Sequence, residues 1–274
     1  MNKENILFVI EGESREMDIV KNICNVFFKN TQIKIIPIPA GENIYMLWKK
    51  LKEDEFETDL LELLKENKAI DSSEIDNMQR DDFSEVYLFF DYDGHQDNLS
   101  NKDEDEKILD LMLETFNNET ENGLLYISYP MVEAIRDIII GECRSIHGCT
   151  IEHNEIGNYK YLSSQSETIK NQSKFDIEDW REIINIFALK VSCLYGFDKV
   201  MEYEKYKTLV SPKDVYMREK KWLDIGKVFI ISAFPQFLLD YHKFSFWHNM
   251  IKRVYVLKDR CEKNSEYLQR LGKT

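Results

Sequence analysis

Residues 8–16 read FVIEGESRE, and the fold turns on how this stretch is parsed. The run ILFVI (6–10) has no polar position, the pattern of a strand covered on both faces rather than one half-open to water. It breaks at Glu11-Gly12. From Ser14 to Phe28 the apolar residues Ile19, Ile23, Val26 and Phe27 recur at helical spacing, with Ser14 placed to cap the helix start. A carboxylate therefore stands where a buried strand gives way to a helix, and Glu13 and Glu16 follow it within five residues.

The same alternation continues downstream. IKIIPIP (33–39) reads as a second strand whose prolines put it at or near an edge. Helical stretches follow at 42–53 and 56–68, and VYLFF (86–90) is the clearest buried strand of the chain. Beyond it lie the charged loop DYDGHQDNLSNKDEDE, a helix near 105–117, the strand GLLYIS (123–128) and a helix opening at YPMVEAIRDIII, with Pro130 near its first turn. Strands joined by connections of helical length predict a mostly parallel α/β sheet flanked by helices, over residues 1–142. Residues 143–175 are polar and aperiodic, which predicts a loop or insertion. Residues 176–274 read as a mainly helical region in which Pro235 kinks or divides the apolar stretch KVFIISAFPQFLLDYHKF.

The net charge of −14 opposes simple wrapping by nucleic acid, since phosphate contacts need Lys and Arg. The charge is uneven: residues 201–274 carry 15 basic against 9 acidic side chains, while residues 51–150 carry 8 against 27. The basic tail suits a polyanion, or is simply a solvated helical surface; the acidic stretch suits a partner surface or repulsion of nucleic acid. No apolar run is long enough to span a bilayer, and the start MNKEN lacks a signal-peptide core. Five scattered cysteines, odd in number and without a CxxC pair, fit reduced thiols. The expectation is a cytoplasmic protein with no membrane partner.

Three strand ends carry acids: Glu11 after the first, Asp91 and Asp93 after the third, and Glu133 after the fourth. Ligands of open α/β sheets sit beyond the carboxyl ends of the strands. Clustered carboxylates repel one another and raise each other's pKa, so such a group calls for a cation, and hard oxygen donors suit Mg²⁺ or Mn²⁺. Taken singly, each acid also fits an ordinary helix cap or turn residue.

The motifs EGESRE, DYDGH and SYPMVEAI, in that order over roughly residues 5–140, resemble the TOPRIM domain of topoisomerases, primases and OLD-type nucleases. They are most similar to the small RloB-like and AriB-like TOPRIM proteins of bacterial defence loci. The resemblance implies a TOPRIM-like fold and a nuclease dependent on one or two Mg²⁺ or Mn²⁺ ions, cutting phosphodiester bonds of DNA or RNA, tRNA included, in antiviral defence. Glu11 would be general base or metal ligand, Asp91 and Asp93 would bind metal, and Glu16 and Glu133 would be further ligands. His95 would contact a phosphate or the attacking water. Arg15 departs from the pattern, which usually has Thr there.

Other readings compete. LFFDYDG also looks like the first motif of HAD phosphatases, with Asp91 as nucleophile and Asp93 as acid/base. That motif normally opens its domain, however, and His95 stands where Thr or Val is usual. A third reading is a non-catalytic TOPRIM-like module gated by a partner ATPase or another regulator. Lys220, Lys221, Lys252 and Arg253 lie near Trp222, Trp247 and Tyr255 and could guide a nucleic-acid strand, although core aromatics with solvated lysines explain them better. Cys143, His147, Cys149 and His153 are residue types that zinc accepts, but their spacing matches no usual finger and disfavours zinc. FIISAFPQFLLDY reads as a buried helix pair or a homodimer face.

Overall fold

The computed structural model of the chain describes residues 4–53, 55, 58–92, 102–137, 149–164, 171–197 and 199–251. The described residues divide into two compact units: Met1–Asp91, Gln96–Ile127 and Asn171–Phe175 form one, and Tyr92–His95, Ser128–Lys170 and Asp176–Thr274 the other.

The first unit is built on β1 (Glu4–Ile10), in which Ile6, Leu7, Phe8, Val9 and Ile10 are each at most 1% exposed. A strand apolar on both sides must be covered on both sides, and each such side chain contributes about 1.5–3 kcal/mol by leaving water. After α1 (Arg15–Ile23), a single π-helical turn over Cys24–Phe28 leads to β2 (Ile33–Pro39), which pairs with β1 in parallel. Helices α2 (Ile44–Glu53) and α3 (Leu60–Glu66) then return the chain to β3 (Glu85–Asp91), parallel to β1 on its other side. Next come α4 (Lys102–Thr115), the two-residue β4 (Asn117–Asn118) and β5 (Gly123–Ser128).

The strand order is β2-β1-β3-β5-β4, with only the short β4 shown antiparallel to its neighbour β5. The sequence-predicted α/β fold with a mostly parallel sheet is therefore what the chain adopts, and β2 lies at the edge that its prolines predicted. Because β2 and β3 lie on opposite sides of β1, right-handed crossovers send α1 to one face and α2–α3 to the other. On the second face α2 packs with α4, and Trp48 meets Phe116 edge-on at 6.0 Å between ring centres. Phe8, Phe89 and Tyr126 carry ring contacts across β1, β3 and β5, at 5.0 and 5.7 Å.

The second unit is mainly helical. A 3₁₀ turn over Val132–Arg136 is followed by β6 (Thr150–Glu152), α5 (Tyr159–Ser163), α6 (Ile177–Leu194), α7 (Tyr203–Leu209), α8 (Pro212–Leu223), β7 (Lys227–Phe229) and α9 (Ala233–Met250). Asp176 caps α6, accepting the amides of Glu178 and Asp179 at 2.9 Å, while the Asp179 carboxylate answers the Asp176 amide at 3.0 Å. Trp180 and most of the helix beyond it are buried, and α9 packs against α6.

Three expectations need correction. The helix expected at YPMVEAIRDIII is, over its described residues, a 3₁₀ turn that ends at Asp137, whose ψ of 64° leaves the helical region. The stretch at 143–175 is not irregular throughout: its described part holds β6, α5 and 3₁₀ turns at His153–Asn158 and Gln172–Lys174. Pro235 does not kink a helix. KVF forms β7, antiparallel to β6, and Pro235 falls in the first turn of α9, where a missing N–H leaves no helical bond unmade. The break in α9 comes at Lys243, with φ 59° and ψ −150°.

Among the described residues no helix is long and apolar enough to cross a membrane. Cys24, Cys149 and Cys193 are free thiols, and burial pushes Cys24 up to about 11.

Candidate metal site at the strand ends

Glu11 is the first residue beyond β1, and both of its ends are tied to β3. Its backbone N–H donates to the Phe89 carbonyl at 3.2 Å, and its carboxylate Oε2 accepts the Asp91 N–H at 3.0 Å. The register explains the meeting. Ile10 pairs with Phe89 in parallel, so the two strands end together at one rim. From that rim β1 connects to β2 on one side, while β3 continues toward β5 on the other. Diverging connections at adjacent strand ends leave a crevice, the usual seat of a ligand in such sheets.

Gly12 brings in the next acid. A Cβ at this position would stand 2.9 Å from Glu16 Oε2, closer than real Cβ atoms approach, and 3.3 Å from its Cδ. Only a residue without a side chain lets the Glu16 carboxylate lie against the Glu11-Gly12 turn. Glu16 is in the first turn of α1 and only 8% exposed, and the positive end of the helix dipole favours an anion there. Ser14 occupies the N-cap position as expected, but its side chain makes no capping hydrogen bond, and its backbone carbonyl accepts the Asp18 amide at 3.0 Å. Glu13 is exposed, and Asp91, the last residue of β3, is half-buried.

The fold thus gathers Glu11 and Asp91, with Glu16 against the turn beside them. Asp93 and His95 lie outside the described residues. Glu133 is in the second unit, on the Val132–Arg136 turn, and is 3% exposed. Among the described residues no three His, Cys, Asp or Glu side chains are grouped to hold a metal ion. Glu11, Glu16 and Asp91 offer carboxylate oxygens, the donor chemistry of Mg²⁺ or Mn²⁺ rather than of softer ions.

The other candidates belong to the second unit or lie outside the described residues. Lys220 and Lys221 are on α8, with Lys220 Nζ 5.5 Å from the centre of the Tyr216 ring. Trp222 and Trp247 are 2% and 5% exposed and so offer no open ring for a base to stack on. Lys252, Arg253 and Tyr255 lie outside the described residues. So do Cys143 and His147; Cys149 is buried and its carbonyl accepts the Ile230 amide at 2.8 Å, and the His153 backbone N–H donates to the Gly226 carbonyl at 2.7 Å.

Sequence reasoning missed the polar centre of the second unit. Lys190, 3% exposed on α6, donates to the Asp137 carbonyl at 2.9 Å, and the Tyr159 hydroxyl donates to Asp137 Oδ2 at 3.3 Å. A hint was present: Lys190 is the one charge in the apolar run IFALKVSCL. Glu219 was missed as well, fully buried on α8 with its carboxyl accepting the Phe229 amide at 3.0 Å.

No protein-family model, no curated protein and no solved structure matches this chain significantly.

Proposed function

We propose that this protein is a metal-dependent nuclease that hydrolyses phosphodiester bonds of DNA or RNA, its site built around Glu11 and Asp91. The observation that carries the reading is the joining of these two acids at the ends of adjacent parallel strands, through the 3.0 Å bond from the Asp91 amide to the Glu11 carboxylate. A bound Mg²⁺ or Mn²⁺ would activate water and stabilise the leaving oxygen of a phosphodiester. Glu11, Glu16 and Asp91 would hold it, with Asp93 and Glu133 added by the TOPRIM resemblance alone. The Asp91 amide fixes the direction of the Glu11 carboxylate, so that acid meets its partner without first being ordered. Gly12 keeps Glu16 against the turn, which brings a further negative charge to the same rim. A role in antiviral defence, and restraint by a partner ATPase or other regulator, follow from the resemblance as part of the same proposal.

The test is cleavage of plasmid DNA and total tRNA by the purified protein with Mg²⁺, Mn²⁺ or EDTA, beside Glu11→Gln and Asp91→Asn. Metal-dependent cutting lost in both variants is the expected result. Hydrolysis of a small phosphomonoester without nuclease activity would transfer Asp91 to the phosphatase reading. Neither activity would leave a binding module gated by a partner.

A further inference from the structure

The helix-covered face of the first unit holds a hollow that the acids at the strand ends do not use. Its floor is apolar: Leu7 of β1 and Val86 of β3, partners across the sheet, with Leu51 of α2, Leu61 of α3 and Phe116 just beyond α4. Each of the five is at most 3% exposed, yet a cavity of about 130 Å³ stands between them. Protein interiors are close-packed, with few voids larger than a water molecule, and a side chain facing a void forfeits its contacts on that side. Val86 is next to the start of β3 and Asp91 is its last residue, so the hollow and the acids belong to opposite ends of that strand.

The mouth of the hollow is polar and carries both signs of charge. Arg80 stands there with its guanidinium fixed by hydrogen bonds to the carbonyls of Phe83, Glu119 and Glu121, at 2.7 to 3.3 Å. Neutral carbonyls leave its charge in place, and these bonds do not use all of its five N–H donors. Asp59 and Glu121 line the same mouth and are exposed. An entering anion would meet two carboxylates, and an entering cation would meet the fixed guanidinium. A neutral hydroxyl suits both, since its oxygen can accept from Arg80 while its hydrogen goes to a carboxylate. Arg80 is already held in place, so little ordering of its side chain would oppose binding.

We infer that this hollow is a binding site for a small neutral aromatic molecule of the phenol class, its single ring on the apolar floor and its hydroxyl at the mouth beside Arg80. The size fits one ring: an engineered apolar cavity of about 150 Å³ in another protein takes up benzene. All the lining residues belong to the first unit. The site is independent of the proposed nuclease chemistry, and neither stands or falls with the other.

The experiment is titration of the full-length protein with p-cresol, followed by the methyl resonances of its leucines and valines and by thermal unfolding. p-Cresol is expected to bind with a dissociation constant on the order of 0.1–1 mM, ordinary for so small a ligand, and to raise the unfolding temperature. It should shift the methyl signals of Leu7, Leu51, Leu61 and Val86 and leave those of Leu189 and Leu238, in the second unit, in place. Toluene, which lacks the hydroxyl, should bind about fivefold more weakly. Benzoate and benzylammonium should bind more weakly still. Leu61→Phe should fill the hollow and abolish binding; if that variant does not fold, the wild-type methyl shifts still locate the ligand. Binding of p-cresol that moves other methyl groups instead, or that persists in folded Leu61→Phe, would overturn the site. Tighter binding of benzoate or benzylammonium than of p-cresol would overturn the neutral class of ligand. No methyl shift with any of the four probes would overturn the inference outright.

Discussion

Glu11 and Asp91, 80 residues apart in the chain, meet through one hydrogen bond in which the Glu11 carboxylate accepts the Asp91 backbone N–H at 3.0 Å. The bond gives Glu11 a structural task beside its proposed chemical one, and two substitutions separate them. Glu11→Gln keeps an oxygen for the Asp91 amide, so its unfolding free energy should stay within about 0.5 kcal/mol of wild type. Glu11→Ala removes the acceptor and should cost about 1 kcal/mol. Metal-dependent cleavage should be lost in both. Denaturant titrations beside the nuclease assay would decide, and a Gln variant that still cuts would leave the carboxylate with the structural task alone.

Gly12→Ala should act on Glu16 more than on the fold. The added methyl would sit 2.9 Å from Glu16 Oε2, the far end of a flexible side chain, which can swing aside at little cost. The backbone keeps its path, and stability should fall by less than about 1 kcal/mol. The Mg²⁺ concentration for half-maximal cleavage should rise several-fold. Unchanged metal dependence would remove Glu16 from the ligand set.

Lys243 holds a positive φ of 59° inside α9, a conformation that costs a side chain about 1–3 kcal/mol. Lys243→Gly should therefore stabilise the protein by about 1 kcal/mol, although glycine in an ordinary helical position weakens a helix. Thermal unfolding should move up by about 2–4 °C. A lower melting temperature would mean that the turn is not strained.

Glu219 makes stability depend on pH. Full burial raises its carboxyl well above the usual 4.5, only partly opposed by the Phe229 amide it accepts. The folded state thus holds the proton that the unfolded chain releases. Its contribution is fully present below pH 4.5 and is lost as pH rises through the higher folded pKa. Glu219→Gln keeps an acceptor for Phe229 without the ionisation. The variant should be more stable than wild type at pH 8, with the gap closing toward pH 4, when unfolding free energies are compared across that range. A gap independent of pH would show that Glu219 does not titrate with folding.

The parts of the fold visible in the sequence were those whose burial leaves a one-dimensional trace. ILFVI, VYLFF and GLLYIS are apolar without interruption because their strands are covered on both faces, and Glu11 stood out because it ended such a run. IKIIPIP announced an edge through its prolines. The short strands left no trace, since two or three residues cannot establish a period. KVFIISAFPQ misled for a different reason. A continuous apolar run fits a buried strand as well as a buried helix, and only tertiary pairing of KVF with β6 decides between them. Glu16 belonged to a legible motif, yet what brings its carboxylate to the turn is the absence of an atom at Gly12. The grip on Asp137 joins residues from three separate segments, so no local pattern announces it.

The prolines of β2 have one more effect. The Ala40 amide donates inward to the Ile10 carbonyl at 2.7 Å, so by the two-residue period of a strand the nitrogens of Pro37 and Pro39 face away from β1. There a ring nitrogen without hydrogen leaves no bond of the sheet unmade, and it deprives the outer rim of two donors that a foreign strand would need. The opposite rim is β4, only two residues long. A sheet whose interior strands are as apolar as aggregating segments is thus closed to growth at both margins, one by imino acids and the other by brevity.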